Sequence, residues 1–226
     1  MNYSDYRRIA RENLEGNWKK SLGIAFVAAI FGALLIGSNI GFEVDMDAEY
    51  IQRLPDIAIA VLGVFASLAG GLNLVHFILG GPVQLGYAHI LLKQYHHQEF
   101  EVGELFSQFH RFKQGFLQSF LRGLYVALWS LLLIIPGIIA SYKYAMTPFL
   151  MTDNPNMTAK EAIAASCELM DGHKGELFTL GLTFIGWELL AMLTLGIGFL
   201  WLNPYKNAAY AAFYRDLIIN RNRGIE

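Results

Sequence analysis

From Ile57 to Leu92 the chain runs for 36 residues without an Asp, Glu, Lys or Arg. As a helix it would be about 54 Å long, more than a straight crossing of a roughly 30 Å hydrocarbon core requires. Gly70-Gly71 and Gly80-Gly81-Pro82 are where this stretch is expected to break, since glycine weakens a helix and proline removes a backbone donor. An earlier run, Ser21 to Phe42, holds 22 uncharged residues, enough for one span. It does not read as a cleavable signal, because a charged, helix-like segment precedes it and its apolar core is too long. A third apolar block, Gly123 to Tyr142, is interrupted by Pro136-Gly137 and continues past Lys143 to Met151. The last, Leu177 to Tyr205, carries the single carboxylate Glu188, ends in Asn203-Pro204 and is followed by the mostly apolar Tyr205 to Asn220.

Composition agrees: 54% of the 226 residues are apolar and 16% charged, against roughly 45–50% and about 25% in ordinary soluble domains. A globule of this size cannot bury that excess, and a mean hydropathy of +0.37 points to an integral membrane protein. Disordered, collagen-like and disulfide-stapled classes are excluded. A net charge of −2 without a basic stripe argues against nucleic acid as a partner. Cys167 is the lone cysteine, so no internal disulfide forms.

Orientation follows from Lys and Arg in the short connections, which concentrate on the cytoplasmic side. Arg7, Arg8, Arg11, Lys19 and Lys20 place the N-terminus inside, whereas Glu43, Asp45, Asp47, Glu49 and Asp56 against Arg53 place 43–56 outside. Lys93, Arg111, Lys113 and Arg122, then Lys160 and Lys174, then Arg215, Arg221 and Arg223 are assigned inside. Parity makes Pro136-Gly137 and Asn203-Pro204 outer turns. The expected fold is an all-α polytopic transmembrane bundle forming a single domain over 1–226. It has about six membrane-embedded helices, near 22–42, 60–95, 116–135, 137–152, 177–202 and 205–220. A cytoplasmic amphipathic helix is expected in 1–20 and cytoplasmic segments over 96–115 and 153–176, with both termini cytoplasmic. The helices 137–152 and 205–220 are short for a full crossing.

A weak threefold self-similarity runs through the chain. Leu14-Glu15-Gly16-Asn17-Trp18-Lys19 precedes the first span, Met170-Asp171-Gly172-His173-Lys174 the fifth, and Phe109 to Gly115, more loosely, the third. Each follows a polar helix-like stretch, and Thr158-Ala159-Lys160-Glu161 has the capping-box form. Each unit closes with a proline and a tyrosine-bearing helix: Pro82 with Tyr87, Pro136 with Tyr142, Pro204 with Tyr210.

The elements RRIARENLEGNWKKSL, GGPVQLGY, IIPGIIASYKYAMTPFLMTDNP, AIAASCELMDGHKGELFTLGLTFIGW and FLWLNPYKNAAYAAFY resemble an uncharacterised bacterial integral-membrane family, domain of unknown function 975. That family is distantly similar to the membrane domain fused to some glycerophosphodiester phosphodiesterases. The resemblance implies a multi-pass protein of the bacterial cytoplasmic (inner) membrane and implies no activity.

Lys143 and Glu188 are the ionisable residues placed deepest, and intramembrane charges normally face a bundle interior or a wet cavity with a partner. Counted from the two expected turns their depths differ by roughly 12 Å, which allows a direct ion pair without requiring one. Asn73 and His76, one turn apart, and Gln84 and His89 are spaced through the interrupted second span. Polar groups at a broken helix can line a transporter-like site, while the same glycines can simply let helices pack closely. Lys143, Glu188, Asn73 and His76 are therefore the candidate ligand-binding residues. His96, His97 and His110 with Glu99, Glu101 and Glu104 match no zinc signature, and no catalytic or phosphate-binding motif occurs. Neither a metal nor another cofactor is expected. The expectation is a non-catalytic membrane protein that binds or transports a small or lipidic molecule. The alternative is a scaffold that recruits partners within the bilayer.

Overall fold

The computed structural model describes residues 2–30, 56–194 and 196–224, with side chains in the long helix of the uncharged stretch described from His76 onward. The chain is helical, with no strand among the described residues. In order come α1 (Tyr3–Leu14), α2 (Trp18–Ile30), α3 (Asp56–Tyr95), a 3₁₀-helix (Val102–Arg111), α4 (Phe112–Leu132) and α5 (Ile134–Lys143). There follow α6 (Thr147–Asp153), α7 (Ala159–Leu169), α8 (Lys174–Leu182), α9 (Ile185–Leu193) and α10 (Phe199–Asn222). Most of 22–42 beyond Ile30, and 43–56 apart from Asp56, lie outside the described residues.

α10 is the hub. Every residue from Lys206 to Tyr214 is buried, because the small Ala208, Ala209, Ala211 and Ala212 let α1, α2, α3 and α9 close around it. Its 24 residues make about 36 Å, so the sixth expected helix is longer than 205–220 and begins before Asn203-Pro204. The turn there lies at Thr194–Gly198, where a Cβ on Gly198 would sit 2.7 Å from Ala191 Cα. Pro204 is the sixth residue of α10 and lies inside the helix, where it removes the N–H that would bond the Leu200 carbonyl without ending the helix. The fourth expected helix, 137–152, is instead two pieces, the ten residues of α5 and the seven of α6. α5 folds back on α4 as an antiparallel hairpin, with Gly137 against Ser130 and Tyr125 5.9 Å from Tyr144. The chain reverses at the extended Leu133, and Pro136 occupies the first turn of α5, where its missing N–H costs little.

The expected break in the second stretch does not occur: α3 is one helix of 40 residues that continues through Pro82. Its glycines serve close approach. A Cβ on Gly81 would run into the Gly115 carbonyl of α4, and one on Gly86 into the Leu105 carbonyl of the 3₁₀-helix.

Polar and apolar residues segregate along the bundle. At one end Lys93 pairs with Glu104 at 2.8 Å and Arg215 with Asp153 at 3.0 Å. The Tyr6 hydroxyl donates to Asp216 at 2.6 Å, and Arg111 donates to the Met151 carbonyl. Burial, together with the bond to Asp216, pushes the Tyr6 phenol up from its ordinary value. Towards the other end, side chains of α4, α5 and α9 stand exposed: Leu131 at 89%, Leu193 at 80%, Ile135 at 71%. The helical stretches Val102–Leu132 and Lys174–Leu193 are each long and apolar enough to cross a membrane.

Two of the three stretches that look alike in sequence share local geometry. α1 opens with the capping box Asn2/Asp5 and is followed by Gly16 at φ +79°; α7 opens with Thr158/Glu161 and is followed by Gly172 at φ +78°. In each, the left-handed glycine turns the chain from a surface helix into an apolar one, a conformation that glycine adopts without steric cost. The middle unit enters α4 directly from a 3₁₀-helix.

Candidate functional site

Glu188, on the first turn of α9, accepts a hydrogen bond from Lys206 Nζ of α10 at 2.5 Å. Lys206 lies ten residues before Asp216, about 15 Å from the polar end along the helix. Its side chain is 11% exposed and that of Glu188 28%. The pair is therefore set among apolar surroundings, where each charge needs the other. Lys143 is not its partner. It ends α5 half-buried, and its carbonyl accepts from Ser166 Oγ at 2.9 Å.

Beside this pair a groove of about 420 Å³ runs between α1, the start of α2, α9 and α10. Trp18, Trp187 and Trp201, three of the four tryptophans, form its walls with Leu190 and Leu202. Arg7 and Arg11 stand at its α1 edge. The Arg7 guanidinium donates to the Tyr205 hydroxyl at 3.3 Å and lies 5.7 Å from the centroid of the Phe184 ring. Among the described residues neither arginine forms an ion pair with a carboxylate. Volume and lining suit an apolar chain, and the arginines suit a polar or anionic head.

A second cavity, about 350 Å³, opens between α3 and α4. His76 and Gln84 line it from α3, Ser119 and Arg122 from α4. Gln84 Oε1 accepts from Gln118 Nε2 at 3.1 Å and from Ser119 Oγ at 3.4 Å, and the His76 ring is held against the Ile30 carbonyl. Arg122 is the midpoint of α4, so it does not belong to the polar connection counted from Lys93; the helix carries it, half-buried, onto the apolar flank.

The four candidates thus fall in separate places. Glu188 follows the groove residue Trp187 on α9 without lining the groove itself, His76 lines the second cavity, and the Lys143 carbonyl meets the surface helix α7. The Asn73 side chain lies outside the described residues. His89 approaches Glu104 at 3.9 Å, and His110 Nδ1 contacts the Ser107 carbonyl. Among the described residues no group of three or more His, Cys, Asp or Glu could hold a metal ion. Cys167 packs beside Tyr144 and Ile163, and burial pushes its thiol up, away from the reactive thiolate. Sequence reasoning passed over Lys206, Arg122 as an embedded charge, and the meeting of three tryptophans. The signal for Lys206 was its place within a nearly uncharged block; the tryptophans gave none, being up to 183 positions apart.

Residues 131–221 match the family described as Protein of unknown function (DUF975). The matched segment carries Glu188, Lys206, Trp187 and Trp201, and it leaves out Arg7, Trp18, His76 and Arg122. No curated protein and no solved structure matches the chain.

Proposed function

We propose that this chain is a multi-pass protein of the bacterial cytoplasmic membrane, non-catalytic, that holds a lipidic molecule in the tryptophan groove. Six embedded helices and cytoplasmic termini follow from the distribution of Lys and Arg. The exposed leucines and isoleucines of α4, α5 and α9 support hydrocarbon contact, since fully withdrawing such a side chain from water is worth about 1.5–3 kcal/mol. The observation that carries the binding role is the groove itself. Three indoles line one open channel whose one edge holds two arginines that, among the described residues, have no carboxylate partner. Tryptophan supplies broad apolar contact with a polar N–H, suited to the level where acyl chain meets headgroup. Glu188 and Lys206 fix α9 against α10 and so hold Trp187 and Trp201 in place.

The test is lipid retention. Protein extracted in mild detergent is expected to keep bound phospholipid by native mass spectrometry, and W187A/W201A to lose at least tenfold of that occupancy while remaining monodisperse. Undiminished occupancy in a folded double variant would reject the groove as the site.

A further inference from the structure

The mechanism just proposed does not use Arg122. Ten residues along α4 from Phe112, about 15 Å of helix, it stands half-buried on the apolar flank, and among the described residues it makes no hydrogen bond or ion pair. Among the described residues no acidic side chain lines its cavity. A cation at such depth normally finds a counter-charge or a polar pathway, and among the described residues the polar side chains that share its cavity are His76, Gln84 and Ser119, none of them a carboxylate. The rim differs. Phe77, Phe120 and Leu124 border the cavity and are 54%, 42% and 41% exposed, with the Phe77 ring edge-on to Phe120 at 6.2 Å. Their free faces continue the apolar surface of α4.

A cationic, hydrogen-bonding floor that opens sideways onto an apolar rim fits an amphiphile with an anionic head. Helical side chains point back towards the helix N-terminus, so the guanidinium leans from mid-helix towards the Ser119 level and the polar end. On the membrane reading above, that direction leads to the headgroups of the nearer leaflet. Guanidinium pairs with phosphate through two parallel hydrogen bonds, and the Ser119 hydroxyl becomes a further donor once its proton turns from the 3.4 Å contact with Gln84 Oε1. We propose that this cavity binds the phosphate of a glycerophospholipid drawn from that leaflet, with its acyl chains lying over Phe77, Phe120 and Leu124. The proposal rests on the membrane reading above and not on the tryptophan groove.

Full-length protein, stripped of lipid in detergent, is titrated with phosphatidylglycerol, with a diacylglycerol of the same chains, or with inorganic phosphate, and bound species are counted by native mass spectrometry. Against wild type, R122Q is expected to weaken one phosphatidylglycerol site at least tenfold, and R122K less. G123F tests the same site without touching the arginine: Gly123 lines the cavity and a Cβ there meets nothing within 4 Å, so the ring fills the space and the same loss is expected. W187A/W201A should keep this site, which separates its failure from failure of the groove. Diacylglycerol should bind no better to wild type than to R122Q. Wild-type affinity for phosphatidylglycerol in both R122Q and G123F would overturn the proposal, as would equal binding of diacylglycerol at the site. Arg122-dependent binding of inorganic phosphate as tight as that of the lipid would make it a free-anion site and overturn the lipid assignment.

Discussion

The contact between Glu188 and Lys206 is worth most where it would be broken. Removing one partner of a buried ion pair leaves an uncompensated charge and costs about 3–5 kcal/mol, whereas replacing both by apolar groups is often neutral. K206M should therefore destabilise the detergent-solubilised protein by about that amount, and E188L/K206M should recover most of it. A thermal or denaturant double-mutant cycle checks this; a double variant no more stable than K206M would show that the pair does not couple. Glu188 was legible as an embedded charge because it stands alone in an apolar block. Its partner was not, because the expected turn at Asn203-Pro204 set Lys206 beyond the reach of Glu188. The actual turn at Thr194–Gly198 brings the two side by side.

Among the elements, α7 shows how local signals survive into the fold. Thr158 and Glu161 close the capping box read from sequence, with the Thr158 N–H donating to Glu161 at 2.8 Å. Hydrogen bonds from Thr158 hold the Glu161 carboxyl below the usual carboxylate range. Since the folded value lies below the unfolded one, the contribution is complete above the ordinary carboxylate pKa and is lost as pH falls through the folded value. Hydrogen-exchange protection at the first turn of α7 should therefore drop on acidification in wild type and stay nearly flat in E161Q; identical pH profiles would remove the cap's role. α3 teaches the opposite lesson. Gly80, Gly81 and Pro82 carry every local mark of a break, yet α4 and the 3₁₀-helix pack where side chains are missing and keep the helix whole. Of the two readings the sequence left open there, close packing describes the backbone.

For the molecule as a whole, the separation of a polar end from an apolar flank makes a prediction that does not depend on any ligand. In a C167S background, which removes the sole cysteine, single cysteines at Leu128 or Leu189 should resist a water-soluble maleimide in intact membranes. These positions are 58% and 59% exposed on the protein surface, so protection would have to come from lipid. A cysteine at Glu168, whose side chain is 72% exposed near the polar end, should react once the membrane is opened. Labelling of Leu128 and Leu189 as rapid as that of Glu168 would mean that water, or another protein surface, covers the flank.

What the sequence determined by itself is the solvent preference of each stretch: long uncharged runs, basic connections and capped surface helices are written in residue type and spacing, which act locally. The all-helical architecture follows from them. Where the hairpins reverse, whether a glycine breaks a helix or admits a neighbour, and which lysine meets Glu188 were decided only by the tertiary structure. Those outcomes depend on the surface a second element presents, and residues as far apart as Trp18 and Trp201 share a groove only after α10 has drawn the other helices around itself.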